Sequence, residues 1–436
     1  MGKKAGFGIL GIFIVFAMAA SSFGQTLSQA GQQSVEGRPQ IIPGAQVQRM
    51  TPQSLRSKLG NSGALRSRSS SIHGNPGGLP GIDSIPNFTR AFSSQGQVWP
   101  FTMMGNDPSL GHNTRIPAKI IAVSLELQNE DLVTTTRVPI APFDKLTLHS
   151  PNFEEADYSS GKNIQFADAV QRAEFFNSMG KNWHTELRPA QIVDHVTIQV
   201  PRFTTVIVNG TPTQVRTYFT GPTNDGGHFV LLLDSFFNDA FFNAVVDQIA
   251  ANHFTTDALN IVLLPNTFLF SLDQGPFGSL TLGFHTFIFD PSATPVPIWV
   301  TAFASWISPG LFDAGIQDVT ALSHEISESF NNPFLINSVP AWQFPGFPGT
   351  CQDNLEIGDP IEALNQQSVP IRMKEDGRSF VYHPQIMALL PWFEEAVPSD
   401  AIDGAYSYPD TTALTGPAEF FGQLTCTAPV GSSSRK

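Results

Sequence analysis

The chain has 436 residues, a formal net charge of −13 and a sequence pI near 5.1. Because nucleic-acid binding depends on basic residues that neutralise phosphates, this acidic balance argues against a general nucleic-acid-binding protein. Only 14% of the residues are charged, and 36 phenylalanines supply material for a hydrophobic core.

The N-terminus has the features of a secretory signal peptide at residues 1–24. Two lysines precede an apolar run from 5 to 20, and small residues stand three positions and one position before a cut after Gly24. The alternative is a membrane anchor, but the apolar run of about 16 residues is shorter than the roughly 20 that span a bilayer. We therefore predict a secreted or periplasmic protein without a membrane span after cleavage.

The next segment, residues 25–97, is predicted to be a low-complexity and mostly disordered leader. It is rich in Gln, Ser, Gly and Arg, is poor in aromatic residues, and lacks the apolar periodicity of a helix or a strand. Its basic residues outnumber its acidic ones. Two roles are open: a flexible spacer, or a propeptide or arm that rests on an acidic surface.

Residues 98–430 are predicted to form one large α+β domain with a mixed sheet, or two closely fused lobes. Apolar runs predict strands at 115–127, 136–150, 195–201, 204–210, 213–220, 258–270, 283–291 and 297–306. Helical spacing of apolar residues predicts helices at 164–179 and 235–253, and a third that starts near Asp313 and ends at Asn331–Pro333. The Pro- and Gly-rich segment that follows, to residue 364, is predicted to be mainly loop.

The third helix carries the motif that points to a function. In LSHEISESFNNP, residues 322–333, the HExxH motif of zinc proteases is altered, because Glu328 stands where the second histidine is expected. His324 and Glu328 are four residues apart, so they project side by side from the helix and would hold one cation. Glu325 lies about 100° round the helix, where a metalloprotease carries its general base.

The alternative is an acidic helix on the protein surface. Apolar residues at spacings of three and four share one face of this helix, namely Ile316, Val319, Leu322, Ile326 and Phe330. The ligand pair lies roughly opposite that face, where an ordinary helix is exposed to water. Such a helix usually carries Lys or Arg, and this one carries neither.

A metal site needs at least a third protein ligand. Downstream, the segment NLEIGD offers Glu356 as that ligand and Asp359 as an additional ligand or as a group that orients one. His285, in GFHTF, is a further candidate ligand, and the alternative for it is a histidine bonded within a sheet. His383, in VYHPQ, is a weaker candidate.

Basic residues are missing from the part of the chain that contains these motifs. Between Arg216 and Arg372 there is no Lys or Arg, although acidic residues recur throughout the interval. Carboxylates without basic partners repel one another. A bound cation would relieve that repulsion, as would basic groups from elsewhere in the fold.

The motifs also resemble those of a known family. SHEISESFNNP, Trp342 and EIGD, with GFH upstream, are similar in order to the EXORDIUM-like, phosphate-induced cell-wall proteins of plants and their secreted bacterial relatives. The resemblance covers roughly residues 283–360. It implies a secreted protein with a zincin-like metal-binding region at 283–362, and it implies no particular catalytic activity.

The chain contains two cysteines, Cys351 and Cys426. In an exported protein we predict that they form one disulfide, which would tie the C-terminal tail to the segment after the third helix. Two unpaired thiols are the alternative. The EXORDIUM-like plant proteins have a cysteine after EIGD, whereas Cys351 precedes it, so the resemblance does not imply a shared disulfide.

The function predicted from these residues is a secreted metal-dependent hydrolase, peptidase-like, in which Glu325 deprotonates a water molecule bound to the ion. Zinc is the favoured ion, and the carboxylate-rich ligand set also suits manganese, iron or calcium. The expected partner is a peptide or cell-wall substrate. The alternative is a non-catalytic extracellular protein that binds a wall component and keeps the metal for structure, or has lost it.

Other reaction classes find no support in the sequence. The chain has no GxSxG motif, which argues against an α/β-hydrolase. It also has no GxxxxGK[ST], which argues against nucleoside triphosphate binding.

Overall fold

The computed structural model describes residues 41–42, 45–46 and 81–416, apart from 159–162, 277, 279, 291, 344–350 and 376–377. The predicted signal peptide, most of the predicted leader and Cys426 lie outside these residues. Within them, no helix combines the length and the hydrophobicity that a bilayer span requires.

The fold is mixed α+β, as predicted, and strands cover more of the chain than helices do. The strands are β1 (Ile41–Ile42), β2 (Ala45–Gln46), β3 (Ile82–Asp83), β4 (Asn87–Ser94), β5 (Gln97–Met104), β6 (Asn113–Gln128), β7 (Thr135–Val138), β8 (Ala156–Asp157), β9 (Asn163–Ile164), β10 (His184–Val200), β11 (Phe203–Val208), β12 (Thr211–Arg216), β13 (Tyr218–Pro222), β14 (His228–Leu233), β15 (Leu259–Pro265), β16 (Thr267–Phe270), β17 (Leu280–Thr281), β18 (Gly283–Phe289), β19 (Val296–Trp306), β20 (Ser338–Gln343), β21 (Cys351–Asn354), β22 (Ile371–Glu375), β23 (Arg378–Tyr382), β24 (Met387–Ala388) and β25 (Ser407–Tyr408). The α-helices are α1 (Phe143–Leu148), α2 (Phe166–Glu174), α3 (Asp234–Ala250), α4 (Thr320–Asn331) and α5 (Leu390–Phe393), and 3-10 turns lie at Pro108–Leu110, Asp359–Ala363 and Ile402–Gly404.

The central sheet has the strand order β10-β6-β15-β19-β18. The pairs from β10 to β19 are parallel, and β18 is antiparallel to β19. Strand β15 is buried along its whole length, as is usual for a parallel strand that is covered on both faces. A smaller sheet has the order β13-β14-β16-β17.

Helices α3 and α4 cover opposite faces of the central sheet. Along β6, Ile121 and Val123 pack in one hydrophobic core with α3, whereas Ile120 and Ala122 pack in another core with α4. Strand β18 alternates in the same way, because Phe284 belongs to the α3 core and Phe287 to the α4 core. His285 lies an even number of residues from Phe287, so the pleat directs it toward α4.

Helix α4 is enclosed and not at the surface. It packs on β18 and β19 and also contacts α2 and β5, and each of its residues is buried. The surface-helix alternative is therefore wrong. The small residues Ala321, Ser323, Ser327 and Ser329 are buried with the rest of the helix.

The predicted leader ends too late in the chain. Residues up to 97 were expected to be disordered, yet β4 and β5 form an antiparallel hairpin. The inward side of β4 contains Arg90 between two phenylalanines, and this charge hid the apolar alternation of the strand. Arg90 is accommodated by an ion pair with Asp107 at 2.6 Å and by the ring of Phe175, which lies 5.5 Å from its guanidinium carbon.

Other predicted elements also differ in the structure. The strand predicted at 136–150 ends at Val138, and α1 follows because Pro142 precedes the first helical turn and Asp144 lies in it. The strand predicted at 258–270 divides into β15 and β16 at Asn266, whose φ of 41° redirects the chain. The segment predicted to be loop forms the β20–β21 hairpin and a 3-10 turn.

Candidate metal centre

Helix α4 positions three of the predicted site residues. It begins at Thr320, later than the predicted start near Asp313, because Ala314, Gly315 and Asp318 all have positive φ and interrupt a helix. It ends at Asn331, before Pro333, as predicted. Over this length His324, Glu325 and Glu328 lie on the side of the helix that faces away from its apolar core.

Six ionisable side chains from three parts of the chain form one cluster. Strand β18 contributes one, α4 three, and the segment after β21 two: His285, His324, Glu325, Glu328, Glu356 and Asp359. None of the six residues is more than 3% exposed. The structure therefore brings together the residues that the sequence predicted as ligands, general base or orienting group, including the further candidate His285 but not the weaker candidate His383.

The ring of His324 is oriented by a residue that the sequence did not predict. Its Nδ1 lies 3.0 Å from Oε1 of Gln385, whose own amide nitrogen donates to the carbonyl of Gly358 at 2.9 Å. Because Gln385 Oε1 only accepts, Nδ1 of His324 carries the proton and donates it. In the neutral ring, Nε2 then presents a lone pair to Glu328 Oε1 at 3.1 Å and to Asp359 Oδ1 at 3.6 Å.

The ring of His285 faces carboxylates on both of its nitrogens. Nδ1 lies 3.3 Å from Glu328 Oε2 and 3.7 Å from Glu325 Oε2, and Nε2 lies 3.6 Å from Glu356 Oε2. Neither nitrogen makes a hydrogen bond. The alternative of a histidine bonded within the sheet is therefore wrong, because this ring points out of β18 into the cluster.

Three of the carboxylates use their two oxygens differently. One oxygen of each accepts a hydrogen bond from a neutral donor: Gly358 N–H to Glu328 Oε1 at 3.1 Å, Asn332 Nδ2 to Glu356 Oε1 at 3.3 Å, and Gln352 Nε2 to Asp359 Oδ2 at 3.2 Å. The other oxygen of each is buried without a hydrogen bond. Buried polar atoms normally have partners, so these oxygens and the histidine nitrogens opposite them mark a place for a cation or for protons.

Burial and mutual repulsion shift the pKa values of the cluster. Burial, reinforced by neighbouring carboxylates, raises the pKa of Glu356 and of Asp359 well above the usual range. Burial also acts on Glu328, but the two histidines outweigh it and lower the pKa of this carboxyl. The carboxylates likewise outweigh burial at His285 and raise its pKa to about 10. Without a cation, the cluster therefore retains protons that exposed groups would release.

The residues fit a divalent metal ion. Two groups of ligand atoms lie within 4.8 Å of one another: His285 with Glu328 and Glu356, and His324 with Glu325 and Glu328. Each group combines one imidazole with two carboxylates, a set that suits zinc, manganese or iron. Calcium prefers oxygen ligands alone, so the histidines disfavour it.

Two glycines make room for the cluster. A Cβ at Gly283 would lie 2.6 Å from Glu325 Oε1 and 2.9 Å from the carbonyl oxygen of Phe303, and a Cβ at Gly358 would overlap the ring of His324. Glycine allows these close approaches because it has no side chain. Both glycines belong to motifs that the sequence had singled out, GFH and EIGD, whereas nothing in the sequence pointed to Gln352 or Gln385.

Two further predicted residues lie apart from the cluster. His383 bonds to Asp318, with 2.7 Å between Nδ1 and Oδ2, and does not approach the candidate ligands. Cys351 forms a disulfide, and its predicted partner Cys426 is outside the described residues.

Comparisons with known proteins identify no relative of this chain. No protein-family model matches it, no curated protein matches it, and no solved structure matches it. The resemblance to EXORDIUM-like proteins therefore stays a prediction that rests on the motifs themselves.

We expect Gly358→Ala to destabilise the cluster, because the new methyl group would displace the His324 ring. The free energy of unfolding should fall by about 1–3 kcal/mol, the usual cost of overpacking, as measured by urea denaturation. Gly416→Ala is the control, since a Cβ there would meet no heavy atom within 4 Å. Equal losses in the two variants would contradict the steric argument.

The protein stripped of metal by a chelator should lose stability between pH 5 and pH 9. Raised carboxyl pKa values, as at Glu356 and Asp359, stabilise the fold at low pH, and this contribution is lost as the pH rises through the raised values. His285 adds a contribution in the same direction, present below pH 6.5 and lost toward pH 10. The loss should be on the order of a few kcal/mol, since one pKa unit corresponds to about 1.4 kcal/mol.

Thermal unfolding at several pH values, with chelator present throughout, measures this loss. Glu356→Gln removes one titrating group and should flatten the profile. A wild-type profile that is already flat would contradict the assignment of buried protons to the cluster.

Proposed function

We propose that this protein binds a divalent metal ion in the buried cluster and that the ion holds β18, α4 and the segment 356–359 together. Zinc, manganese and iron are the ions that the ligands fit, with zinc favoured. The observation that carries the proposal is the set of buried carboxylate oxygens and histidine nitrogens that face one another without hydrogen bonds.

The buried charges of the cluster favour a bound cation. Four carboxylates and two imidazoles are buried together. Their hydrogen-bond partners outside the cluster are uncharged backbone and side-chain amide groups. Removing anions from water without a counter-charge costs several kcal/mol for each. A bound cation offsets that cost, and because its ligands come from three parts of the chain, its binding energy also stabilises the fold.

The burial of the cluster favours a non-catalytic role for the metal. The ligand side chains are almost inaccessible to solvent, so a peptide substrate would not reach them in this conformation. We therefore propose an extracellular protein in which the metal is structural and in which wall components or other partners bind elsewhere on the surface.

Elemental analysis of the purified mature protein tests the metal site. We expect at least one equivalent of a divalent metal in the wild type and a loss of most of it in His324→Ala. A chelator should lower the melting temperature, because a ligand present at 1,000 times its Kd contributes about 4 kcal/mol. His383→Ala is the matched control, since this histidine lies outside the cluster and its removal should leave the metal content unchanged. Metal-free wild-type protein that does not take up zinc, manganese or iron would refute the proposal.

A metal-dependent hydrolase with a zincin-like helix is the second candidate, and one observation favours it. Glu325 has an oxygen without a hydrogen bond beside His285, and burial raises its pKa, as suits a group that accepts and returns a proton. A bound cation would supply Lewis acidity at this place. Glu325 would accept a proton from water and pass it to the leaving group, after the chain that covers the cluster has moved aside.

Cleavage of a peptide library by the metal-loaded protein tests this second candidate. Glu325→Gln should reduce the rate by about 10²–10⁴-fold, the usual contribution of a general base, while the metal remains bound. Asp353→Asn is the control, because Asp353 is exposed and outside the cluster. Equal rates in Glu325→Gln and wild type would exclude Glu325 as the base. If the wild type cleaves no peptide, only the structural role of the metal is left.

A further inference from the structure

The two groups of candidate ligands share one residue. The first contains His285, Glu328 and Glu356, and the second contains His324, Glu325 and Glu328. Among the described residues, no such group contains both histidines. A single ion therefore engages one imidazole and leaves the other, although both rings are buried among carboxylates.

The shared residue, Glu328, presents a different oxygen to each histidine. Its Oε1 lies 3.1 Å from Nε2 of His324, and its Oε2 lies 3.3 Å from Nδ1 of His285. The two rings come from different elements, α4 and β18, and approach the carboxylate from opposite oxygens. This is the arrangement of a carboxylate that bridges two ions, one on each oxygen.

Each half of the cluster has its own downstream carboxylate. Glu356 Oε2 lies 3.6 Å from His285, and Asp359 Oδ1 lies 3.6 Å from His324. Both of these oxygens lack hydrogen bonds, whereas the second oxygen of each carboxylate is held by an amide. Each half therefore offers one histidine, one oriented carboxylate with a free oxygen, and one oxygen of Glu328. The halves differ in that both carboxylate oxygens face Nε2 of His324, whereas Glu328 faces Nδ1 and Glu356 faces Nε2 of His285.

If no protons are retained, the charges balance for two ions and not for one. With neutral histidines, the four carboxylates Glu325, Glu328, Glu356 and Asp359 carry four negative charges. One divalent ion leaves two of them uncompensated in a buried site, where uncompensated charge is costly. Two divalent ions cancel all four. Two histidines with four carboxylates are also the ligands of the di-iron and di-manganese carboxylate proteins, which hold them on a helix bundle.

We propose that the cluster binds two divalent cations, one beside His285 and Glu356 and one beside His324 and Asp359, with Glu328 as the bridge between them. The inference rests on the proposed metal-binding function and adds the number of ions and the bridging residue. Glu325, which shares a ligand group with His324 and lies 3.7 Å from Nδ1 of His285, would complete the shell.

Titration of the chelator-treated mature protein with Mn²⁺ tests this inference. Elemental analysis after removal of free metal should give two equivalents, and low-temperature electron paramagnetic resonance should show the broadened, many-line spectrum of two coupled Mn²⁺ ions. One equivalent with the six-line spectrum of isolated Mn²⁺ would overturn the dinuclear site and leave the proposed metal-binding function intact. Two equivalents without coupling would overturn the bridge, and no binding of Mn²⁺ or Zn²⁺ would overturn both proposals.

Variants in each half sharpen the test. Asp359→Asn and Glu356→Gln each remove one terminal carboxylate, so each should bind one equivalent in place of two and convert the coupled spectrum to the six-line form. Asp353→Asn, in the same segment but exposed, should keep two equivalents and the coupled spectrum. Retention of both ions and of coupling in Asp359→Asn and in Glu356→Gln would contradict the assignment of these residues.

Discussion

The confinement of four carboxylates and two imidazoles in one buried cluster is the constraint on which this structure depends. Burial makes each negative charge expensive, and the sequence supplies no Lys or Arg between Arg216 and Arg372 to offset it. The surrounding amides and backbone groups orient the ligands without neutralising them. Protons would offset this cost, as would cations in the proposed metal site, so the stability of this region is coupled to whichever of them it binds.

The residues of the site were largely predictable because their signals are local in sequence. The spacing of His324 and Glu328 follows from helical geometry, and the EIGD and GFH motifs supplied Glu356 and His285. The exposure of the helix was not predictable in this way. A face of small and polar residues looks like a wetted surface, and only the tertiary fold shows that other elements cover it.

Sequence patterns failed to predict features in which the position of a side chain is determined by a residue distant in sequence. Arg90 lies on the inward side of β4 because it forms an ion pair with Asp107 and packs on the ring of Phe175. The sequence of β4 therefore does not show the apolar alternation that predicts a strand. Gln385 orients His324 although the two residues are 61 positions apart in sequence. Helix and strand periodicity relates only residues within one element, so it could not predict this contact. Runs of apolar residues, as in β15 and β19, were recognised because strands buried on both faces need no partner-specific pattern.

The tight fit of two glycines beside the ligands has a consequence for finding relatives of this chain. A protein that shares the cluster must keep not only the acids and histidines but also Gly283 and Gly358, since a methyl group at either position intrudes on the cluster. The pattern to search for is therefore G-x-H, then H-E-x-x-E, then E-x-G-D, with a glutamine further along. Chains that keep the donors but replace either glycine would have to widen the gap between helix and strand, and would hold their ions in a different geometry.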